Sequence, residues 1–226
     1  GAIPQGVDPT FNSYDDESEP FIVAQSSGTT GNVKFIKIPF GEYIQRIDNN
    51  FHIQFEEAKY AAFLFPPLKS TTQYKVANLL MMDLPIVIDL TYEDLAKYPR
   101  LQIVCSHAQA AWFVRDHTPP ETPFDVTIDV AGAATDEKYL NEMFKYFNQI
   151  NIGYGATETS RTFNKRLRSI SDFNGSSGTP FPDVEVSFNP GDDSVLIKTP
   201  RAFNNEWFSP GDYGYMKDGE LYVTGR

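Results

Sequence analysis

The chain alternates between short apolar runs and longer segments whose apolar residues recur at helical spacing. Apolar runs predict strands at FIVAQ (21–25), KFIKIP (34–39), AAFLF (61–65), PIVIDL (85–90), LQIVC (101–105), DVTIDVAG (125–132) and INIGYG (150–155). Helical spacing predicts helices over 42–55, 71–82, 107–115 and 136–148. This alternation favours an α/β fold with a mostly parallel sheet flanked by helices, in which ligands bind beyond the carboxyl ends of the strands.

The pattern changes near residue 175. From there the segments VEVSF, SVLIKT, GYMK and ELYVTG alternate between apolar and polar residues, with tight turns at PGDD and KDGE. Such short strands predict a small, barrel-like antiparallel β subdomain. We therefore expect a lead-in over 1–20, an α/β subdomain over 21–174 and an antiparallel subdomain over 175–226.

Charge and cysteine content narrow the classes of partner. The net charge is −11, and the most basic stretch is RLRS at 166–169, which fits a solvated surface. Nucleic acid requires a basic patch, so it is not expected as a partner. No run reaches the roughly 20 apolar residues of a membrane span. The single cysteine, Cys105, excludes an intramolecular disulfide and a cysteine metal cluster, and it fits a reduced, cytoplasmic setting.

The stretch SSGTTGNVK (26–34) joins two predicted strands. Glycines allow backbone N–H groups to approach a ligand closely, hydroxyls donate to phosphate oxygens, and a lysine adds positive charge. The spacing differs from the Walker pattern, because only two residues separate Gly28 from Gly31. Taken alone, the stretch fits a phosphate loop and a mobile hairpin loop equally well.

Two further segments carry suitable chemistry. In YGATET (154–159), Tyr154 could stack on a base, Thr157 could bond a phosphate oxygen and Glu158 could hold Mg²⁺. Near the end of the chain, the Asp212 carboxylate could accept hydrogen bonds from two vicinal hydroxyls, with Arg226 fourteen residues later. Each residue also has a structural interpretation: Tyr154 in the core, Glu158 as an exposed loop charge and Asp212 in a turn.

Four segments, taken in order, resemble those of the adenylate-forming superfamily: acyl- and aryl-CoA ligases, nonribosomal peptide synthetase adenylation domains and luciferases. They are SSGTTGNVK, YGATET, SSGTPFPDVEV (176–186) and WFSPGDYGYMKDGELYVTGR (207–226). The resemblance covers about residues 20 to 226, the core of that superfamily's N-terminal domain. It implies an acid–thiol ligase of the AMP-forming type: ATP and Mg²⁺ activate a small carboxylic acid as an acyl-adenylate, and a thiol of CoA or of a carrier-protein pantetheine then takes the acyl group.

The resemblance also implies roles for individual residues. The phosphates are surrounded by Ser26, Ser27, Gly28, Thr29, Thr30, Gly31 and Lys34, and the adenine and acyl pocket is lined by Gly132, Ala133 and Ala134. Tyr154 stacks on adenine, while Asp212 and Arg226 hold the ribose. Thr157 contacts the α-phosphate and Glu158 ligates Mg²⁺, so that Lys34, Thr157 and Glu158 form the catalytic set.

The chain departs from the superfamily in three places. The phosphate loop ends in Val33-Lys34-Phe35 instead of proline-lysine-glycine, and Lys69 stands near the position of a histidine or aromatic residue at the acyl pocket. Lys69 could pair with a second substrate anion or could be solvated. The chain also ends at Arg226, at the hinge before the superfamily's C-terminal subdomain and its adenylation lysine. We therefore expect ATP binding to outlast catalysis, and a non-catalytic nucleotide-binding or regulatory module is the alternative function.

Overall fold

An antiparallel hairpin opens the described part of the protein. In the computed structural model, which describes residues 20–27, 33–48, 54–65, 70–202 and 205–226, strand β1 (Phe21–Ser27) pairs with β2 (Val33–Pro39). Helix α1 (Phe40–Asp48) follows β2 with no intervening residue. The predicted strands on either side of the Ser/Gly/Thr stretch are thus confirmed.

A seven-stranded sheet forms the centre of the fold. Its strands, in chain order, are β3 (Tyr60–Phe63), β4 (Ile86–Val87), β5 (Leu101–Ser106), β6 (Phe124–Ala131), β7 (Phe147–Ala156), β8 (Ser160–Leu167) and β9 (Thr179–Pro180). Their spatial order is β4-β3-β5-β6-β7-β8-β9. Strands β3 to β7 pair in parallel, and β8 and β9 are antiparallel to their neighbours. The predicted mostly parallel sheet is confirmed.

The two faces of the sheet are packed differently. On one face, Ile103, Ile128 and Ile150 are buried against helices α3 (His107–Val114) and α4 (Glu137–Met143) in the largest apolar cluster. On the other face, helix α2 (Ser70–Met81) adds Leu79 to a smaller cluster with Phe55, Ala61 and Val104. That second face also buries polar side chains, namely Gln102, Asp129, Gln149 and Asn151. Helix α2 therefore covers a polar layer rather than a continuous apolar one.

Two hairpins follow the large sheet. Strand β10 (Glu185–Phe188) pairs with β11 (Val195–Lys198), and β12 (Tyr213–Lys217) pairs with β13 (Glu220–Gly225). These hairpins confirm the turns predicted at PGDD and KDGE. Val195, Ile197 and Leu221 are fully buried against Phe163 of β8, so the hairpins pack on the antiparallel side of the large sheet. The domain boundaries and the barrel-like closure stay predictions.

Several predicted bounds were wrong. Helix α1 begins at Phe40 rather than at residue 42, and the strand predicted over 85–90 is limited to β4. The helix predicted over 136–148 ends at Met143, because Phe147 already pairs with Phe124 and is buried as the first residue of β7. Strand β8 was not predicted; it folds back on β7 through the turn that contains Thr157 and Glu158.

Candidate functional site

A cavity of about 520 Å³ lies beyond the carboxyl ends of β6 and β7. Its wall is built from four stretches of chain: 132–135 after β6, 152–155 in β7, 173–177 without Asn174, and 223–226 at the end of β13, together with Asp212. The small residues Gly132, Ala133 and Ala134 leave the space open. Parallel strands end at the same edge of a sheet, so the topology places this opening where α/β proteins bind ligands.

The Asp212 carboxylate is the polar centre of this wall. Its side chain accepts a hydrogen bond from the Tyr154 hydroxyl at 2.9 Å. The Arg226 guanidinium approaches both carboxylate oxygens, with Nε at 2.6 Å from Oδ1 and Nη2 at 3.2 Å from Oδ2. Asp212 is only 7% exposed. A buried carboxylate with two fixed donors is oriented for recognition rather than left to rotate in solvent.

The two partners of Asp212 keep their protons. Burial, and then the neighbouring Asp212 carboxylate, raise the pKa of Tyr154 above its usual range. The hydrogen bond to Asp212 raises the pKa of Arg226. At neutral pH the phenol is therefore a donor and the guanidinium a cation, so the three side chains form one charge-assisted network.

The turn that holds Thr157 and Glu158 is fixed through its backbone. Arg46 of α1, 4% exposed, donates to the Thr157 carbonyl at 2.8 Å and to the Glu158 carbonyl at 2.7 Å. The same guanidinium donates from Nε to the Arg201 carbonyl at 3.2 Å. Thr159 closes the turn by accepting from the Ala156 N–H at 3.2 Å. The turn is therefore held while the Thr157 and Glu158 side chains remain partly exposed.

The hairpin places part of the predicted phosphate loop. Ser26 lies opposite Lys34, and Ser27 lies opposite Val33, in the register of β1 and β2. Gly28, Thr29, Thr30 and Gly31 lie outside the described residues, as does Lys69. The register leaves residues 28–32 as the connection between the paired strands.

The structure thus brings six of the predicted residues together at one cavity: Gly132, Ala133, Ala134, Tyr154, Asp212 and Arg226. Thr157 and Glu158 follow directly after β7 but are not part of the cavity wall. The sequence analysis assigned no role to the wall residues Gly153, Gly155 and Ser176, although all three stand inside segments that it quoted. It also missed Arg46, whose partners are more than a hundred positions away in the chain.

Glu158 fits a magnesium ion that is shared with a ligand. Within the described residues no group of three or more His, Cys, Asp or Glu side chains could hold a metal on its own. Mg²⁺ is commonly bound by one or two carboxylates together with substrate phosphates, which requires no such group.

The described helices include none with the length and apolar character needed to cross a bilayer.

Comparison with known proteins gives matches at the level of structure. No family model matches the chain, and no curated protein sequence matches it. The o-succinylbenzoate coenzyme A synthetase MenE of Bacillus subtilis, in complex with ATP and a magnesium ion, superimposes with a TM-score of 0.71 at 19% identity, covering 89% of this chain and 49% of that one. A mutant coronafacic acid ligase from Pectobacterium brasiliense superimposes with a TM-score of 0.65 at 16% identity. This match covers 85% of this chain and 44% of that one.

A second MenE, from E. coli with bound OSB-AMS, gives a TM-score of 0.68 at 17% identity and covers 90% of this chain and 48% of that one. The chain thus spans about half the length of the solved structures it matches. At these identities the likeness concerns the fold. The chain therefore shares the α/β fold of these solved ligases over about half of their length, with a mostly parallel central sheet flanked by helices.

Proposed function

We propose that the chain is the nucleotide-binding core of an ATP-dependent, carboxylate-activating ligase of the acid–thiol type. The observation that carries the proposal is the Asp212 carboxylate, fixed by Tyr154 and Arg226 at the wall of a cavity at the strand ends. A carboxylate accepts two hydrogen bonds from vicinal hydroxyls, which matches the ribose of ATP. Residues 132–134 and Tyr154 then border the adenine.

The phosphates extend from the ribose toward the phosphate loop. We assign Ser26, Ser27, Gly28, Thr29, Thr30, Gly31 and Lys34 to the β- and γ-phosphates, Thr157 to the α-phosphate and Glu158 to Mg²⁺. Bound Mg²⁺ would supply positive charge against the phosphate oxygens. Arg46 contributes by holding the Thr157–Glu158 turn through its carbonyl groups, which leaves both side chains free to face a ligand.

The proposed reaction has two steps. A carboxylate oxygen of the acid attacks the α-phosphorus, the bond to the pyrophosphate oxygen breaks, and an acyl-adenylate forms. A thiol of CoA or of a carrier-protein pantetheine then attacks the acyl carbonyl, and AMP leaves. The protein's part is positioning and charge stabilisation at phosphorus.

Complexes of the structural neighbours support this assignment of ligands. The MenE structures hold AMP, ATP with magnesium, the acyl-adenylate OSB-AMP and the product analogue OSB-NCoA. We also propose a cytoplasmic setting, which rests on the single cysteine of the sequence, Cys105.

Titration calorimetry with ATP and Mg²⁺ tests the proposal on the wild type and on Asp212→Asn. We expect the wild type to bind ATP with a dissociation constant in the micromolar to millimolar range. In the variant we expect the affinity to fall by at least tenfold, which is about the contribution of one or two charge-assisted hydrogen bonds. Asp116→Asn is the matched control, because Asp116 is exposed and pairs with the adjacent Arg115. An unchanged affinity in Asp212→Asn would overturn the proposed ribose site.

Release of pyrophosphate with a panel of carboxylic acids then separates the two functions. Release that depends on the acid supports the ligase. ATP binding that is sensitive to Asp212 but gives no pyrophosphate with any acid supports the non-catalytic nucleotide-binding module instead.

A further inference from the structure

Ser160, the first residue of β8, has a backbone conformation that a serine does not favour. Its φ is +60°, in the left-handed region, and a residue other than glycine persists there only when its surroundings fix it. Ser160 pairs with Ala156 across the turn that carries Thr157 and Glu158. The strained residue therefore stands where the chain leaves the turn of the proposed magnesium ligand.

The carbonyl group of Ser160 lies against the wall of the cavity. A Cβ added at Gly155, which lines the cavity, would overlap the Ser160 carbonyl oxygen. The Thr159 hydroxyl donates to the same oxygen at 3.1 Å, and it accepts from the Ala156 N–H at 3.2 Å. The backbone conformation at Ser160 thus fixes the end of the turn and its contact with the wall together.

The side chain of Ser160 is anchored outside the turn, on helix α2. Ser160 Oγ donates a hydrogen bond to the Tyr74 hydroxyl oxygen at 2.9 Å. Ser160 is 8% exposed and Tyr74 is 6% exposed, so solvent is kept from both hydroxyl groups. Loss of the tyrosine hydroxyl would leave the serine hydroxyl buried without its acceptor, which is unfavourable.

Asn78 connects Tyr74 to the other support of the turn. Its Nδ2 donates to the Tyr74 carbonyl at 2.9 Å and to the Arg46 carbonyl at 3.3 Å. The Arg46 guanidinium donates in turn to the carbonyl groups of Thr157 and Glu158. Helices α1 and α2 therefore hold the turn together, α1 through the backbone at 157–158 and α2 through the residue that follows the turn.

We propose that Tyr74 is a positioning residue for magnesium-dependent ATP binding. Its hydroxyl holds Ser160 in the left-handed conformation, and Ser160 holds the turn that presents Glu158 to the metal. The inference rests on the proposed function, because Glu158 is the magnesium ligand there. Tyr74 acts through Ser160 and supplies the side-chain contact that Arg46 does not make.

Two variants of Ser160 separate the hydrogen bond from the backbone conformation. Both Ser160→Ala and Ser160→Gly remove the hydroxyl, but only glycine adopts a positive φ freely. The ratio of ATP affinities with and without Mg²⁺, measured by calorimetry, should fall about fivefold in Tyr74→Phe and in Ser160→Ala, which is about the contribution of one buried hydrogen bond. In Ser160→Gly, with or without Tyr74→Phe, the ratio should stay within about twofold of the wild type.

Tyr146→Phe is the matched control. Tyr146 is 4% exposed, and its hydroxyl donates to the His117 carbonyl at 2.9 Å, outside the cavity wall. Its loss should lower stability and leave the ratio of affinities unchanged. An unchanged ratio in Tyr74→Phe, or equal ratios in Ser160→Ala and Ser160→Gly, would overturn the inference.

Amide hydrogen exchange of the free protein gives a second readout that requires no nucleotide. The Thr159 N–H donates to the Ala156 carbonyl at 3.3 Å, and the Ala156 N–H donates to the Thr159 hydroxyl, so both amides exchange when the turn opens. Relative to Tyr146→Phe, exchange at both should be about fivefold faster in Tyr74→Phe. Equal exchange in these two variants would contradict the anchoring of the turn by Tyr74.

The two readouts distinguish this inference from the proposed function. Faster exchange in a chain that does not bind ATP removes the ligase and leaves Tyr74 as the residue that holds the turn. ATP binding with unchanged exchange and an unchanged magnesium ratio removes only the role of Tyr74.

Discussion

Arg46 donates a hydrogen bond from Nη2 to the Glu158 carbonyl oxygen at 2.7 Å, across 112 positions of the chain. Arg46 belongs to α1, which follows β2 directly, and Glu158 belongs to the turn between β7 and β8. The contact therefore connects the hairpin of the predicted phosphate loop to the turn of the proposed magnesium ligand. Arg46 is a positioning residue in this arrangement, because it holds Glu158 through the backbone.

Replacement of Arg46 by Met should weaken both the fold and the metal-dependent part of ATP binding. Three carbonyl groups would lose a charged donor, and one such hydrogen bond contributes about 1.5–3 kcal/mol. We expect the free energy of unfolding in urea to fall by about 3 kcal/mol, with partial recovery in Arg46→Lys. Arg168→Met, at an exposed site, serves as the control.

The readout specific to positioning is the ratio of ATP affinities with and without Mg²⁺. It should fall in Arg46→Met under conditions where the variant is folded, because the turn that carries Glu158 is released. Loss of stability with an unchanged ratio would mean that Arg46 supports the fold alone.

Gly153→Ala should disturb the Arg161 guanidinium. The added Cβ would lie within van der Waals overlap of Nε, Cζ and Nη2, and overpacking of a filled interior costs about 1–3 kcal/mol. We expect that loss in the free energy of unfolding, measured in urea. Gly191→Ala is the matched control, since the nearest atom to its added Cβ is Asn189 Oδ1 at 3.6 Å. Equal stability of the two variants would contradict the close contact between the Gly153 backbone and the Arg161 guanidinium.

The parallel core could be predicted because its strands are apolar runs. Ile103, Ile128 and Ile150 lie on neighbouring strands that are buried on a common face, and buried parallel strands give such runs. Strand β8 escaped prediction because its sequence, SRTFNKRL, places Arg161 and Lys165 among its buried positions. Their burial depends on carboxylates from distant parts of the chain, which local pattern does not show.

The candidate site could be predicted in part for a related reason. Tyr154 and Asp212 stand in segments with recognisable chemistry, and the parallel topology places Tyr154, near the end of β7, at the edge of the sheet where ligands bind. Asp212 comes just before β12 of a separate antiparallel hairpin, so its approach to Tyr154 depends on how that hairpin packs on the large sheet. The buried charge cluster of Lys75, Asp129 and Arg161 gives no comparable signal. Lys75 looks like an ordinary helix residue in the sequence, and only the packing of α2 on β6 and β8 places it beside Asp129.

Lys165 connects β8 to the cavity wall and to β13. Its ammonium donates to both Glu220 oxygens at 2.7 and 3.0 Å, to Asn174 Oδ1 at 2.7 Å and to Ser176 Oγ at 2.9 Å. Lys165→Met should lower the free energy of unfolding by about 3 kcal/mol, because it leaves the partly buried Glu220 carboxylate without its cation. The double variant Lys165→Met, Glu220→Met should recover part of the lost free energy of unfolding. The double-mutant cycle should give an interaction free energy of about 1–3 kcal/mol between the two residues.

The exposed cross-strand pair Lys198–Glu185, at 3.0 Å, is the matched control for that cycle. Its coupling should be about 0–1 kcal/mol, since solvent screens exposed ion pairs. Equal coupling in the two cycles would mean that burial of Lys165 contributes nothing.

The buried Lys75 amine should make stability depend on pH in a defined window. Its pKa in the folded state is about 8, against an ordinary value of 10.5, because burial disfavours the charged form more than Asp129 favours it. Between these two values the unfolded chain binds the proton and the folded chain does not, so the free energy of unfolding rises with pH. Below about pH 8 both states are protonated, and above about 10.5 neither is, so the contribution is constant there.

Urea unfolding of the wild type and of Lys75→Met, from about pH 6.5 to about pH 10, measures this directly, because the difference between the two removes the groups they share. Cys105 lies close enough to interact with Lys75 and has a raised pKa from burial, and it is present in both proteins. The free energy of unfolding of the wild type minus that of the variant should be constant up to about pH 8 and should then increase with pH. A flat difference over the whole range would mean that the Lys75 amine is solvated in the folded protein rather than buried beside Asp129.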